Sequence, residues 1–357
     1  MSLTRTHALL REVVADRAAP CVVVEVGRHQ DVLWREAAGH LTYAPDAPAA
    51  TTATVFDLAS LTKVIVTTSL CQRAVSAGLF TLETPVRTVV PEWNRGDTAS
   101  VTIRDVLCHA AGLPAHVRLW ERALAREDAL RVMLSVDCER PVRSSSVYSD
   151  IGFMLLGVLL ERLYGQTLRD LWLSACPPAI TPLDFCPMEW HASAAVSGGI
   201  APTEEDPWRG RLLHGEVHDE NAALLGGIAG HAGLFGSVDA VGAFAREVLR
   251  TFHESTWLGL PSVQQEFARR VAVPGSSRAL GWDTMLPTSS CGTLLSPTAI
   301  GHTGFTGTSL WIDWEQDLYV VVLSNRVHPT RSNERFPPVR ARIHDAVVHD
   351  LRAPLVR

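Results

Sequence analysis

Apolar and polar positions along the chain fall into two periodicities, and their order implies a sheet assembled from the two ends of the chain. The apolar runs Cys21 to Val26 and Val32 to Ala38, divided by Gly27-Arg28-His29-Gln30-Asp31, predict a hairpin. Three further strand-like segments lie near the other end, at Ile300 to Gly304, Ser309 to Ile312 and Leu318 to Ser324. Helical spacing dominates between them. Leu61 to Ala77 carries only Lys63 and Arg73 as charges, places Val64, Thr68, Cys71 and Val75 on one face, and stops at Gly78. Ile151 to Leu163 predicts a second buried helix ending near Gly165, and Thr102 caps a short one through Leu107. Arg122 to Leu134 reads as a charged, exposed helix, and another helix begins near Ser237. Met1 to Pro20 and Val339 to Leu351 read as amphipathic helices. Tyr43 to Thr54 and the Gly215 to Asn221 and Gly226 to Gly236 stretches read as loops, and Leu171 to Met188 has no clear period. The expected fold is α+β: one unit over 1–357, with an antiparallel sheet part from about 1–58 and 275–357 and a helical part from about 59–274.

Composition adds exclusions. With 46% hydrophobic and 20% charged residues, the chain suits a globular protein with a large core. A net charge of -6, with no basic run, gives no footprint for nucleic acid. No apolar run reaches the ~18 to 20 residues of a membrane span. Charges interrupt the N-terminal apolar residues as they would not in a secretory leader, and seven scattered cysteines form no framework, so a cytoplasmic, reducing location is expected.

One residue stands apart. Lys63 is the only lysine among 32 basic residues. Arginine matches its charge but cannot give up a proton, so the position is one where proton transfer is a requirement. Ser60 lies three residues earlier, on the same helical face, at a helix start whose dipole favours an oxyanion at Ser60 and lowers the pKa of Lys63. A serine hydroxyl attacks only when a base takes its proton, and a lysine one turn along is such a base.

Ser60-Leu61-Thr62-Lys63, Tyr148-Ser149-Asp150 and His302-Thr303-Gly304, in this order, resemble the three motifs of the serine beta-lactamase and penicillin-binding-protein superfamily. The branch resembled is that of class C beta-lactamases, family VIII esterases and D-Ala-D-Ala carboxypeptidases. Leu107-Cys108-His109-Ala110-Ala111-Gly112-Leu113-Pro114 and Ala232-Gly233-Leu234-Phe235-Gly236-Ser237-Val238-Asp239 are similar to supporting segments of that group. The resemblance implies a beta-lactamase/transpeptidase-like fold. It implies Ser60 as nucleophile, Lys63 and Tyr148 as proton-transfer groups, and an oxyanion hole from the backbone N–H of Ser60 and Phe305. Which of Lys63 and Tyr148 takes the first proton stays open. Asp150, His302, Thr303 and Gly304 are the expected substrate-binding residues.

Two positions depart from the group's pattern. Asp150 stands where asparagine is common, adding an acid able to raise the Lys63 pKa. His302 replaces lysine and is a weaker cation for a substrate carboxylate, which favours neutral esters or amides over beta-lactams. The expected activity is cleavage of a small ester, amide or peptide through an acyl-enzyme, with no metal or organic cofactor. D-Ala-D-Ala carboxypeptidase or D-aminopeptidase activity, and a silent binding or sensor homologue, are the alternatives. Oligomeric state is unassigned. His109, His218 and His231 are expected as loop hydrogen-bonders, and Asp219 and Asn221 as candidates for lining the cleft. His214 and His218 have helical spacing but lack the neighbouring glutamate of a zinc site. No Gly-x-Ser-x-Gly elbow is present, since Ser197 follows Ala195-Val196.

Overall fold

The computed structural model describes residues 3–94, 96–180, 183–185 and 199–353; the segment around Ser197 lies outside them. A six-stranded antiparallel sheet is the frame. Its order is Val32–Gly39, Cys21–Gly27, Leu318–Ser324, Ser309–Asp313, Ile300–Thr303 and Asp283–Thr284, so the strands from the two ends of the chain join edge to edge in one sheet, as the sequence implies. Cys21–Gly27 and Leu318–Ser324 sit at its centre and are buried throughout, which is why they read as unbroken apolar runs.

Alternate side chains of these strands feed two cores. Val22, Val24, Val26, Val320 and Val322 pack under Thr4–Ala15 and Pro337–Arg352, while Val23, Val321 and Leu323 face Val238–Thr251 and the helical part. Glu25, on the second face, is fully buried. It is satisfied by the Tyr319 hydroxyl at 2.6 Å, by Arg246 at 3.2 Å and by Arg35.

The Lys63 helix and the Asp150–Tyr164 helix are buried in the larger core. Lys63–Thr68 forms a π-helical turn that continues as regular helix through Ser69–Ser76, and Gly78, at φ +69°, ends it. Ser149 caps the second helix and Gly165, at φ +67°, terminates it.

Several expectations need correction. The charged helix starts at Arg126, not Arg122, because 119–121 form a separate turn, and it buries Ala129 and Met133. The glycine-rich loops hold a short helix, Glu220–Leu224, and a strand, Leu234–Gly236, that pairs with Phe56–Asp57. Leu168–Ala175 is helical, as is Pro261–Ala268. Among the described residues no helix is long and apolar enough to cross a membrane, and Cys21, Cys71, Cys108, Cys176 and Cys291 carry free thiols.

Candidate active site

Ser60 stands in a tight turn between the strand Phe56–Asp57 and the Lys63 helix. The turn is held on both sides. Asp57 accepts from the N–H of Ala59 at 2.8 Å and of His218 at 2.6 Å. The hydroxyls of Thr306 and Thr308 donate to the carbonyls of Asp57 at 2.7 Å and Leu58 at 3.0 Å. These bonds sustain Ala59 at φ +48°, a left-handed conformation that disfavours a side chain. Gly304 permits this closeness: a Cβ there would lie 2.6 Å from the Leu58 carbonyl oxygen.

Lys63 is fully buried, and its three protons have three acceptors. Nζ lies 3.0 Å from Ser60 Oγ, 3.0 Å from the His231 carbonyl and 2.8 Å from Asp150 Oδ1. Burial pushes its pKa down, but the Asp150 carboxylate and Tyr148 outweigh that and hold it above the ordinary lysine value. The expected lowering by the helix dipole is therefore overturned. A whole negative charge in contact outweighs the partial charge of a helix end. Asp150 opens its own helix; burial raises its pKa, while Lys63 and a hydrogen bond from His116 hold it far below the carboxylate range.

The Tyr148 ring lies 4.9 Å from Lys63 Nζ and 5.3 Å from the Arg278 guanidinium carbon. The rings of His109 and His302 are 4.7 and 5.7 Å away. Burial raises its pKa, opposed by the Lys63 charge and by hydrogen bonding to Lys63 and Ser60. Tyr148 is a phenol in this setting.

His302 lies in the strand Ile300–Thr303 and donates from Nδ1 to the Thr303 carbonyl at 2.8 Å. Its Nε2 has no partner among the described residues. Burial, then Arg278 and Lys63, keep its pKa well below the ordinary value, so the ring is neutral. Thr303, Gly304 and Phe305 line a cavity of about 290 Å³ with Ser60, Tyr148 and Arg278. The Gly304 carbonyl accepts from Arg340 at 2.6 Å. In a trans peptide the following N–H points the opposite way, so this bond fixes where the Phe305 N–H is aimed. Phe305 itself is 48% exposed, between His218 and Arg326.

The remaining expected residues are structural in their contacts. His109 Nδ1 accepts from the Ser149 N–H at 3.0 Å, fixing the turn that carries Tyr148. His231 Nε2 meets Asp219 at 2.8 Å, and His218 Nε2 meets Glu204 at 2.8 Å. Asn221 is fully buried and bonds Leu119 N–H and the Val117 carbonyl rather than facing a cleft. His214 Nε2 bonds the Ile200 carbonyl, away from the His218 partner. Among the described residues no cluster of His, Cys, Asp and Glu is disposed to hold a metal ion.

Sequence reasoning missed Arg278, Arg340 and His116. Arg278 and Arg340 are two of many arginines, with no local motif. His116 meets Asp150 Oδ2 at 3.4 Å, and its place two residues after the Gly112-Leu113-Pro114 turn is the one signal that could have drawn attention to it.

Comparison with known proteins gives a consistent picture. A family model described as Beta-lactamase matches residues 6–344. The chain is 30% identical over 319 residues to N-acetylmuramyl-L-alanine amidase of Bacillus subtilis (strain 168), covering 81% of this chain and 72% of that protein. It is 30% identical over 315 residues to a provisionally named D-alanyl-D-alanine carboxypeptidase of Escherichia coli (strain K12), covering 78% and 70%. Among solved structures, a penicillin-binding protein homologue from Pyrococcus abyssi superposes with a TM-score of 0.77 at 17% identity, covering 98% of this chain and 77% of that one.

Proposed function

Because the chain belongs to the beta-lactamase family, we propose that it is a serine hydrolase that cleaves an amide or ester of a carboxylate-bearing substrate through an acyl-enzyme on Ser60. The observation that carries this reading is the contact of Ser60 Oγ with the buried Lys63 amine at 3.0 Å. Ser60 Oγ attacks the carbonyl carbon, and the oxyanion is received by the N–H groups of Ser60 and Phe305, neither of which donates within the protein among the described residues. Collapse expels the amine or alcohol, protonated from the Lys63–Tyr148 pair, and water then releases the acyl group by the same route in reverse roles.

The carboxylate preference follows from charge. His302 is neutral, but Arg278 brings a permanent cation to the same cavity, and its nearest acidic partner, Asp283, is 3.9 Å away. Its donors are therefore available to a ligand. The names of the amidase and carboxypeptidase relatives support the same substrate class. This reading shifts the emphasis away from neutral esters.

The test has two parts. A fluorophosphonate probe should label Ser60 and fail on Ser60→Ala. Rates on a D-alanyl-D-alanine peptide, a penicillin and p-nitrophenyl acetate should rank the first highest; a protein that takes no covalent adduct from any acylating probe is not this enzyme.

A further inference from the structure

A second cavity lies apart from Ser60, at the edge of the sheet. Its volume is about 500 Å³, within the roughly 300–1,000 Å³ of small-molecule sites. Asp283 and Thr284 are successive residues of the edge strand, so their side chains point to opposite faces. Asp283 lines the Ser60 cavity and Thr284 lines this one. Among the described residues the two cavities share no lining residue.

The lining combines an aromatic stack with uncompensated positive charge. The Phe252 and Trp314 rings stack with centroids 5.0 Å apart and planes 13° from parallel. Phe252 is buried, so Trp314 presents the outer ring, and Ala268 and Pro297 continue the apolar surface. Among the described residues the charged groups lining the cavity are Arg269 and Arg270, with no carboxylate. Arg269 shares its charge with Glu266 at 3.4 Å. Arg270 has no carboxylate partner among the described residues, yet it is held in place. Its Nε donates to the Thr284 hydroxyl at 2.7 Å and a terminal nitrogen donates to the Met285 carbonyl at 2.7 Å. These bonds fix the guanidinium, leave other N–H groups of its five free and neutralise none of its charge.

We infer that this cavity is a binding site for a small, flat, apolar carboxylate, held by Arg270 and packed on Trp314. A guanidinium fork matches a carboxylate in geometry and charge. Because Thr284 and Met285 already hold Arg270, little side-chain freedom remains to be lost when a ligand binds. An aromatic ring offset on Trp314 extends the stack that Phe252 begins. Neither contact suffices alone. An ion pair open to water contributes little, and an aromatic face does not select for negative charge, so the site recognises both features on one molecule. The ligand is a free molecule taken from solution, and its binding involves no reaction at Ser60.

Calorimetric titration of the full chain with 2-naphthoate and with its neutral counterpart, 2-naphthamide, is the test. On wild type the amide should bind at least about 10-fold more weakly, the loss of one hydrogen bond to a charged group. Arg270→Met should bring 2-naphthoate down to the affinity of the amide, whereas Arg270→Lys should keep a preference for the acid. Trp314→Leu should weaken both ligands alike and leave their ratio in place. Arg278→Met, which removes a guanidinium from the Ser60 cavity, should leave this binding event in place. Absence of saturable binding by wild type overturns the site, as does equal affinity for the acid and the amide. Binding that Arg278→Met abolishes and that Arg270→Met and Trp314→Leu leave intact also overturns it, by placing the ligand beside Ser60. The wild-type ratio and Arg270→Lys decide the matter even where Arg270→Met loses its fold.

Discussion

Replacing Arg278 by methionine should divide substrates by charge. Methionine retains part of the apolar stem and removes the guanidinium. The ion pair lost is long, 3.9 Å to Asp283, with side chains 21% and 24% exposed, so the fold should lose no more than about 1 kcal/mol. The loss on binding is larger. A hydrogen bond to a charged group contributes about 1.5–3 kcal/mol, and at 1.4 kcal/mol per decade that is roughly a 10- to 150-fold drop in kcat/KM. Arg278 also lies 5.3 Å from the Tyr148 ring, so its removal alters proton transfer for every substrate alike. The informative quantity is therefore a ratio: kcat/KM for an acyl-D-alanyl-D-alanine peptide against the same peptide capped as its C-terminal amide. Arg278→Met should lower that ratio at least 10-fold. Equal losses on both peptides would refute the assignment of Arg278 to the substrate carboxylate.

Other outcomes follow from the same geometry. Ser60→Ala should abolish hydrolysis of p-nitrophenyl acetate, and Lys63→Arg should lower kcat by at least about 100-fold, since arginine keeps the charge and never yields the proton; near-wild-type turnover by Lys63→Arg would mean that no proton passes through this position. Burial raises the Glu204 pKa, but His218 and Arg331 overcome this and depress it from 4.5 to about 2. Because the folded value is the lower one, the stability difference between wild type and Glu204→Gln should be complete above pH 4.5 and vanish toward pH 2, as urea titrations across that window would show. At Gly230 a Cβ would lie 2.2 Å from the Phe153 carbonyl oxygen, so Gly230→Ala should cost about 1–3 kcal/mol and lower Tm by several degrees in calorimetry. It should also slow Ser60 labelling, because the adjoining His231 carbonyl holds Lys63.

What the sequence made legible was what local pattern encodes. Buried β-branched runs announced the central strands, and a helix with almost no charge announced the bed of Lys63. The lone lysine was visible because every other position of its charge is arginine. The expected order of Ser60, Tyr148 and His302 along the chain converges in space as lining of one cavity. Contacts between distant segments were not legible. The sequence offered two opposed influences on the Lys63 pKa, the helix dipole and the Asp150 acid, and only the 2.8 Å contact with Asp150 decides that the raising one prevails. Arg340 aims the Phe305 N–H through a carbonyl, a role that any of 31 arginines could have filled as far as the sequence tells. Asn221 was a cleft candidate by its polar loop and proved to be a buried brace, since its amide satisfies two backbone groups of the loop near His116.

The distribution of cations explains why one lysine suffices. Arg326 and Arg340 hold the carbonyls of Phe305 and Gly304, and Arg278 stands over Tyr148; a guanidinium does not exchange its proton as readily as an amine, so the scaffold they support does not change as protons move. The groups proposed to exchange protons form a separate set, Ser60, Lys63 and Tyr148, with Lys63 Nζ 3.0 Å from Ser60 Oγ and 4.9 Å from the centre of the Tyr148 ring. A lysine in place of Arg278 would add a second titrating amine beside Tyr148. An arginine in place of Lys63 would remove from the proposed set the one amine able to give up a proton. On the proposed mechanism, segregating permanent charge from mobile protons would let the N–H groups of Ser60 and Phe305 stay aimed while the protonation state around Ser60 changes, and that requirement falls on residues the chain brings together from three separate segments.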